Sequence, residues 1–291
     1  MKSRKMSLAK IAAGALFVLI AAASCKKNND VTDPTQGMPA YLPSVIYYNN
    51  QPADSFVYNA DNTVSKLILN DGPRFYSFDY NSNKQCIRVK KFWNGDLHAG
   101  VPDEVDSLIY VGNKINMITS NNEGHRDTTV FSYDANNNLG LVGSKDTVKT
   151  SDRKYVTFEE FTNVNGNLSK YYYSFFNSAL NGSDTYKGTR SHTYTYDNQQ
   201  NGLQLFFAKN PYMFIYMNWE DDYPYFSAGK NNITGFDIKI ERLLAAESEN
   251  QKATVQNTYD PVTGLVIYQK FVQTGSENAT WSFQFKYIKK N

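Results

Sequence analysis

Hydrophobic and polar residues alternate at period two through most of the chain after about residue 40. The last such segment is the clearest, because Trp281, Phe283 and Phe285 fall on one face and Ser282 and Gln284 on the other. This alternation, with many β-branched and aromatic residues, is typical of half-buried strands. It recurs elsewhere along the chain, for example in residues 76–80, 193–197 and 236–241. The pattern predicts an all-β fold.

Polar turns of a common form separate the predicted strands. The common form begins with Tyr followed by Asp or Asn, continues with polar residues and ends with an aliphatic residue. Asn, Asp and Gly tolerate the left-handed backbone that tight hairpins need. We therefore expect an antiparallel meander of repeated hairpins, whose large sheet curls into a half-barrel or folds over as two layers. Four copies of the turn occupy residues 58–64, 133–139, 196–203 and 259–265, and weaker copies occupy 80–84 and 162–168.

The same pattern leaves little room for helices. Residues 240–249 include several helix formers but could equally extend two strands into a long hairpin. Residues 177–187 and 218–230 are predicted to be long loops. Because no linker-like segment interrupts the pattern, residues 41–291 are predicted to form a single antiparallel β-sheet domain.

The first 24 residues have a different character. They contain four basic and no acidic residues, and an apolar run at 11–20 leads to small residues before Cys25. This order is typical of a secretory signal peptide. The apolar run is shorter than the roughly 20 residues of a spanning helix, although an uncleaved anchor helix is the alternative.

Residues 19–25 resemble a bacterial lipoprotein signal. The resemblance implies that residues 1–24 are removed and that Cys25 is lipidated and becomes the new N-terminus. It also implies export across the inner membrane and anchoring in the outer membrane of a Gram-negative cell, on its periplasmic or surface face. Several acyl chains, at about 0.8 kcal/mol per buried methylene, hold a soluble domain on a bilayer. Residues 25–40 are polar and include Pro34 and Gly37, which predicts a flexible tether.

Signal removal changes the charge balance of the chain. The full sequence has 30 Lys and Arg against 28 Asp and Glu. Without the four basic residues of the signal, the net charge moves from +2 to −2. Nothing in this balance favours nucleic acid as a partner. Cys86 is then the remaining thiol, and its position in a predicted strand favours a buried, inert side chain.

The Tyr-Asp turns resemble YD-repeat units. Residues 229–234, 259–265 and 281–287 are similar to a family of uncharacterised Bacteroidetes lipoproteins. The resemblance implies a secreted, lipid-anchored protein rich in antiparallel strands, with a porin-superfamily-like curled sheet in some members. The family has no established activity, so it implies no functional residues. An integral outer-membrane barrel is disfavoured, because its strands are about 9–11 residues long with one apolar face, whereas many strands here are short and polar on one side.

An acidic and aromatic run at residues 219–226 is the strongest candidate for a binding site. Carboxylates accept hydrogen bonds from sugar hydroxyls and bind hard cations such as Ca²⁺, and aromatic rings stack on sugar faces. A solvated acidic turn between two strands is the alternative. The candidate ligand-binding residues are Trp219, Glu220, Asp221, Asp222, Tyr223 and Tyr225.

No combination of residues in the sequence indicates catalysis. The three histidines, at 98, 125 and 192, lack metal-ligand spacing. Glu159 and Glu160 point to opposite faces of a strand, so they cannot flank one glycosidic bond. No nucleophile elbow, phosphate loop or dinucleotide fingerprint is present. We therefore predict no catalytic residue, metal or cofactor.

These observations favour a non-catalytic binding or scaffolding module of the cell envelope. Its partner would be the membrane, through the lipid, together with a glycan or another envelope protein. An exposed sheet edge or a tyrosine-rich face would form the contact surface. The alternatives are an envelope hydrolase with an unrecognised site and a purely structural component.

Overall fold

The computed structural model describes residues 41–290 except 70–71, 94–99, 123–124, 183–184, 222–227, 243–246 and 277. The described chain contains sixteen strands and two helices. The strands are β1 (Tyr41–Tyr48), β2 (Gln51–Tyr58), β3 (Val64–Leu69), β4 (Arg74–Tyr80), β5 (Cys86–Phe92), β6 (Glu104–Val111), β7 (Lys114–Asn122), β8 (His125–Tyr133), β9 (Leu139–Lys149), β10 (Arg153–Val164), β11 (Asn167–Ala179), β12 (Tyr186–Gln200), β13 (Asn231–Arg242), β14 (Glu247–Tyr259), β15 (Val266–Gly275) and β16 (Ala279–Lys289). The helices, α1 (Gln204–Lys209) and α2 (Met213–Asp221), lie between β12 and β13.

The sheet closes on itself. Each strand pairs antiparallel with the next along the chain, and β1 pairs with β16, where Ile46 lies opposite Phe285. The predicted all-β antiparallel meander is therefore confirmed, and its curl continues to full closure. The predicted exposed sheet edge is wrong, because pairing between the first and last strands leaves neither of them as an edge.

Apolar side chains point into the barrel and polar ones point out. Phe271 is fully buried, and it stacks on Trp281 and meets Phe283 edge-on inside the lumen. The neighbouring outward positions on the same strands, Lys270 and Ser282, lie opposite each other in the register. Exposed charged side chains on the outer face include Lys170, Asp237, Lys239, Lys252 and Lys270.

The meander places alternate turns at opposite ends of the barrel. One end carries the turns after β2, β4, β6, β8, β10 and β14, together with the segment that contains both helices. The chain also enters β1 and leaves β16 at this end, which we name the helical end. No helix in the described ranges has the length and apolarity to cross a membrane.

A ring of eight side chains repeats around the helical end. Near that end, every even-numbered strand carries a Tyr or Asn that donates to a carbonyl near the start of the preceding strand, over 2.5–3.2 Å. Burial raises the pKa of most of these phenols well above 10, so they remain protonated donors. The donor and acceptor pairs are Tyr58–Pro43, Tyr80–Val64, Tyr110–Cys86, Tyr133–Ile115, Asn163–Leu139, Tyr196–Leu168, Asn257–Ile233 and Tyr287–Val266.

This ring gives a structural reason for much of the repeated Tyr-Asx pattern. The Tyr closes the hairpin from inside the barrel, and the following Asx organises the turn. Asp134, for example, accepts hydrogen bonds from the backbone N–H groups of Asn136 and Asn138 at 2.9 and 2.8 Å. The sequence copies at 58, 80, 133 and 196 all belong to the ring, whereas Tyr259 instead donates to Asp197.

The predicted loops are partly wrong. The described part of 218–230 contains the end of α2, and residues 177–179 and 186–187 of the other predicted loop belong to β11 and β12. Both helices contribute buried aromatic residues inside the barrel, including Phe206, Phe207 and Tyr216. A helix buried on most sides shows no apolar stripe at period 3.6, so the usual sequence signal is weak. The described residues of 240–249, which are 240–242 and 247–249, lie at the paired ends of β13 and β14, as in the long-hairpin alternative.

Candidate functional site

The helices are fixed to one wall of the barrel by Asn210, which lies between them. Asn210 is fully buried, and its Oδ1 accepts hydrogen bonds from the Val64 N–H at 2.8 Å and the Tyr212 hydroxyl at 3.0 Å. Its Nδ2 donates to the Phe206 carbonyl at 3.1 Å. The short connection between the helices is thereby bonded to the first residue of β3.

Aromatic contacts extend this attachment along the same wall. The ring centroids of Phe56 and Phe206 are 5.0 Å apart, and those of Phe78 and Tyr212 are 5.2 Å apart. The Tyr212 hydroxyl also bonds to Tyr80 of the ring. Edge-on and tilted pairs at these distances add to the stabilisation from burial. Helices α1 and α2 are therefore held by β2–β4.

A buried charge cluster completes the attachment. Lys91 Nζ lies 2.7 Å from Glu104 and 3.2 Å from Asp106, and the Tyr216 hydroxyl of α2 donates to Asp106 at 2.9 Å. Asp106 is fully buried and Lys91 is 4% exposed. Burial and the nearby Asp106 carboxylate raise the pKa of Tyr216, so its hydroxyl stays a donor. The cluster is structural, because it lies away from solvent.

On the other side of the helices a cavity remains. It has a volume of about 370 Å³ and lies between the helical segment and the turn ends of β7–β11. The side chains of its floor are buried and apolar, so a molecule that enters it leaves water for an apolar surface. The floor consists of Ile115, Phe131, Phe161, Leu168, Phe207 and Ile215.

The rim of the cavity is polar. It carries the amides of Asn113, Asn137 and Asn138 and the ammonium group of Lys114. Lys114 Nζ hydrogen-bonds to Asn137 Oδ1 and lies 4.9 Å from the centre of the Tyr133 ring. None of the described residues that line the cavity is acidic. The site therefore combines an apolar floor with a rim of hydrogen-bonding groups and one positive charge.

The acidic group that interacts with Lys114, Asp134, belongs to a turn and not to the cavity lining. Hydrogen bonds from the side chain and backbone of Asn138 lower the pKa of Asp134, with smaller contributions from Asn136 and Lys114. Both Asp134 oxygens accept bonds within the turn. Its carboxylate is thus engaged in holding the β8–β9 turn.

His192 occupies the lumen and not the cavity. It is 8% exposed, its Nδ1 lies 3.0 Å from the Tyr194 hydroxyl, and its ring stacks on Phe236. Burial, with a contribution from the positive charge of Arg190, lowers the pKa of His192 to about 3. The imidazole is therefore neutral at physiological pH and packs as part of the core.

The structure tests few of the site residues predicted from sequence. Asp222, Tyr223 and Tyr225 lie outside the described residues, as does Cys25. Trp219, Glu220 and Asp221 form the last turn of α2, and their side chains are also outside the described part. A binding role for this run stays a prediction.

Two other expectations can be compared with the structure. Cys86 is 1% exposed at the start of β5, and burial raises the pKa of its thiol, so it is buried as predicted. Glu159 lies opposite the inward-facing Tyr173, whereas Glu160 forms an ion pair with Lys145 on the outer face. The two adjacent carboxylates thus diverge, as expected for neighbouring strand residues.

Comparison with known proteins finds similarity to solved structures only. No family model and no curated protein matches the chain. Among solved structures, a porin-like protein from Bacteroides vulgatus ATCC 8482 is similar at 13% sequence identity, and one from Bacteroides uniformis ATCC 8492 at 12%. Each match covers 84% of this chain and 98% of the other, with a TM-score of 0.42. The lipoprotein-family resemblance stays a prediction.

Proposed function

We propose that this is a lipid-anchored protein of the cell envelope whose water-facing barrel binds a small, largely apolar molecule in the cavity at its helical end. The observation that carries the proposal is the cavity itself, with its buried apolar floor and polar rim. Ligand sites are typically apolar concavities of about 300–1,000 Å³ with a few polar groups that orient the ligand. A volume of about 370 Å³ suits a small ligand.

The charged outer face of the barrel favours a location in water over a location inside a bilayer. A Lys on the lipid-facing side of a membrane barrel costs about 2–4 kcal/mol at the bilayer midplane. Here Lys239, Lys252 and Lys270 are all exposed on neighbouring strands. A barrel with this surface needs a separate device to stay at a membrane, and the acylated Cys25 predicted from sequence would supply one.

The anchor has a direct test. Cys25→Ala removes the acylated thiol, so we expect the full chain to move from the membrane fraction to the soluble fraction of its native host. The measurement is fractionation followed by immunodetection, and Cys86→Ala is the matched control because Cys86 is buried in the barrel. Membrane retention of the Cys25→Ala chain would refute the lipid anchor.

Ligand binding at the cavity can be tested with a neutral fluorescent probe, N-phenyl-1-naphthylamine. The full chain with Cys25→Ala should bind the probe with an increase in fluorescence in the absence of detergent. Ala228 lies on the cavity wall, so Ala228→Trp should fill the cavity and weaken binding at least tenfold. Ala60→Trp adds the same side chain to an exposed turn at the same end and should leave binding unchanged.

The outcomes of that titration are clear. Loss of probe binding in Ala228→Trp but not in Ala60→Trp supports the proposed function. Equal probe binding by all three proteins, or no binding by any of them, contradicts it. The glycan hypothesis depends on residues 219–226, whose side chains lie outside the described part of the chain, so it stays a prediction, as does the hydrolase alternative.

A further inference from the structure

We propose that the cavity selects a single-chain amphiphile with a negatively charged head, and that Lys114 contacts the head group. This inference rests on the proposed function and makes it more specific. It follows from the positive charge of Lys114 at the rim of the cavity and from the hydrogen bonds that hold the Asp134 carboxylate within its turn.

Lys114 differs from five described lysines of the barrel that form ion pairs. Lys84, Lys90, Lys91, Lys145 and Lys239 each form an ion pair with a carboxylate. Lys114 has no carboxylate within ion-pair distance among the described residues; it bonds to the neutral amide of Asn137, lies over the Tyr133 ring and interacts with the Asp134 carboxylate only beyond ion-pair distance. Its positive charge therefore remains available at the mouth of an apolar cavity.

The neighbouring groups favour an anion over a cation or a neutral head. Asn113, Asn137 and Asn138 have amide N–H groups that can donate to a carboxylate. Hydrogen bonds to an ionised acceptor are stronger than those between neutral groups. Asp134 interacts electrostatically with Lys114, but its oxygens are bonded to Asn136 and Asn138 within the turn.

The size and lining of the cavity favour a single apolar chain. The floor is formed by aliphatic and aromatic side chains from β7–β11 and the helices, among them Ile115, Phe161 and Ile215. The volume lies near the lower limit for ligand sites. A chain on this floor with its head at Asn137 and Lys114 would use both the apolar and the charged part of the site.

The experiment compares three probes with the same ten-carbon chain: decanoate, decanol and decyltrimethylammonium. Each displaces N-phenyl-1-naphthylamine from the full chain carrying Cys25→Ala, at pH 7.5 and below the aggregation concentration of the probe. We expect decanoate to bind roughly five- to tenfold more tightly than decanol, and the cation to bind most weakly. Added salt should reduce these differences because Lys114 lies at a solvent-accessible rim.

Two variants test whether Lys114 causes the preference for decanoate over decanol. Lys114→Met should bring the decanoate-to-decanol affinity ratio close to one. Lys270→Met removes an exposed outer-face lysine from β15 and should keep the wild-type ratio. The order anion, neutral, cation, together with its loss in Lys114→Met alone, supports the inference.

The contrary results separate the two proposals. Equal binding of all three probes would overturn the anionic selectivity and leave the proposed function standing. Retention of the decanoate preference in Lys114→Met would overturn the role of Lys114. Failure of every probe to bind, with N-phenyl-1-naphthylamine also unbound, would overturn the proposed function and this inference together.

Discussion

Replacement of Lys91 by Met is expected to destabilise the barrel by about 3–5 kcal/mol. The ammonium group of Lys91 lies within 3.2 Å of both Glu104 and Asp106, and all three side chains are largely removed from water. Without the lysine, two carboxylates face each other in the barrel without a counter-charge. One Asp106 oxygen, Oδ1, already lacks a hydrogen-bond partner among the described residues. The free energy of unfolding from urea titration measures the loss.

The neighbouring residue supplies the control. Lys90 lies on the opposite face of β5 and pairs with Asp79 at 2.8 Å, with both side chains at least one-third exposed. Exposed pairs of this kind contribute about 0–1 kcal/mol, so Lys90→Met should change stability only slightly. Equal losses for Lys90→Met and Lys91→Met would contradict a buried charge cluster inside a closed barrel.

Replacement of Phe206 by Ala is expected to cost about 3–5 kcal/mol, the usual range for a large aromatic side chain in a core. Phe206 is fully buried in α1 and contacts Phe56 of β2 and Phe207. The cavity left by truncation would sit where the helical segment meets the barrel wall. The loss is measured as the fall in the urea midpoint at an unchanged m-value.

Phe158→Ala is the matched control for the helix–wall contact. Phe158 lies on the outer face of β10, half-buried, near Lys145 and Tyr172. Because its ring is partly in water already, truncation should cost only about 1 kcal/mol. A smaller loss for Phe206→Ala than for Phe158→Ala would show that the helices are not packed inside the barrel.

The strands were predictable because alternation at period two is a local signal. Residues 281–287 point alternately in and out in the structure, as the sequence pattern requires. Closure of the sheet into a barrel was not predictable from local alternation, because it depends on pairing between β1 and β16. The paired residues of these two strands are more than 230 positions apart in the sequence. A half-barrel and a closed barrel use the same local pattern, so alternation alone does not distinguish them, and the closed form was not predicted.

The cavity could not be predicted, because it is assembled from distant segments. Its lining comes from the turn ends of β7–β11 and from the segment that contains the helices. The helices lack a clear amphipathic stripe because the barrel surrounds them. The sequence signal that did exist was the repeated Tyr-Asx turn, which indicated hairpins but not the ring of hydrogen bonds inside them.

The most direct test of a ligand-binding cavity is to locate a ligand in it. A crystal of the full chain with Cys25→Ala, soaked with 10-bromodecanoate, should show anomalous bromine density against the floor residues Phe161, Leu168 and Ile215. The carboxylate should lie at the rim beside Lys114. Density only on the outer face of the barrel, or none at a concentration that displaces the fluorescent probe, would contradict binding in the cavity.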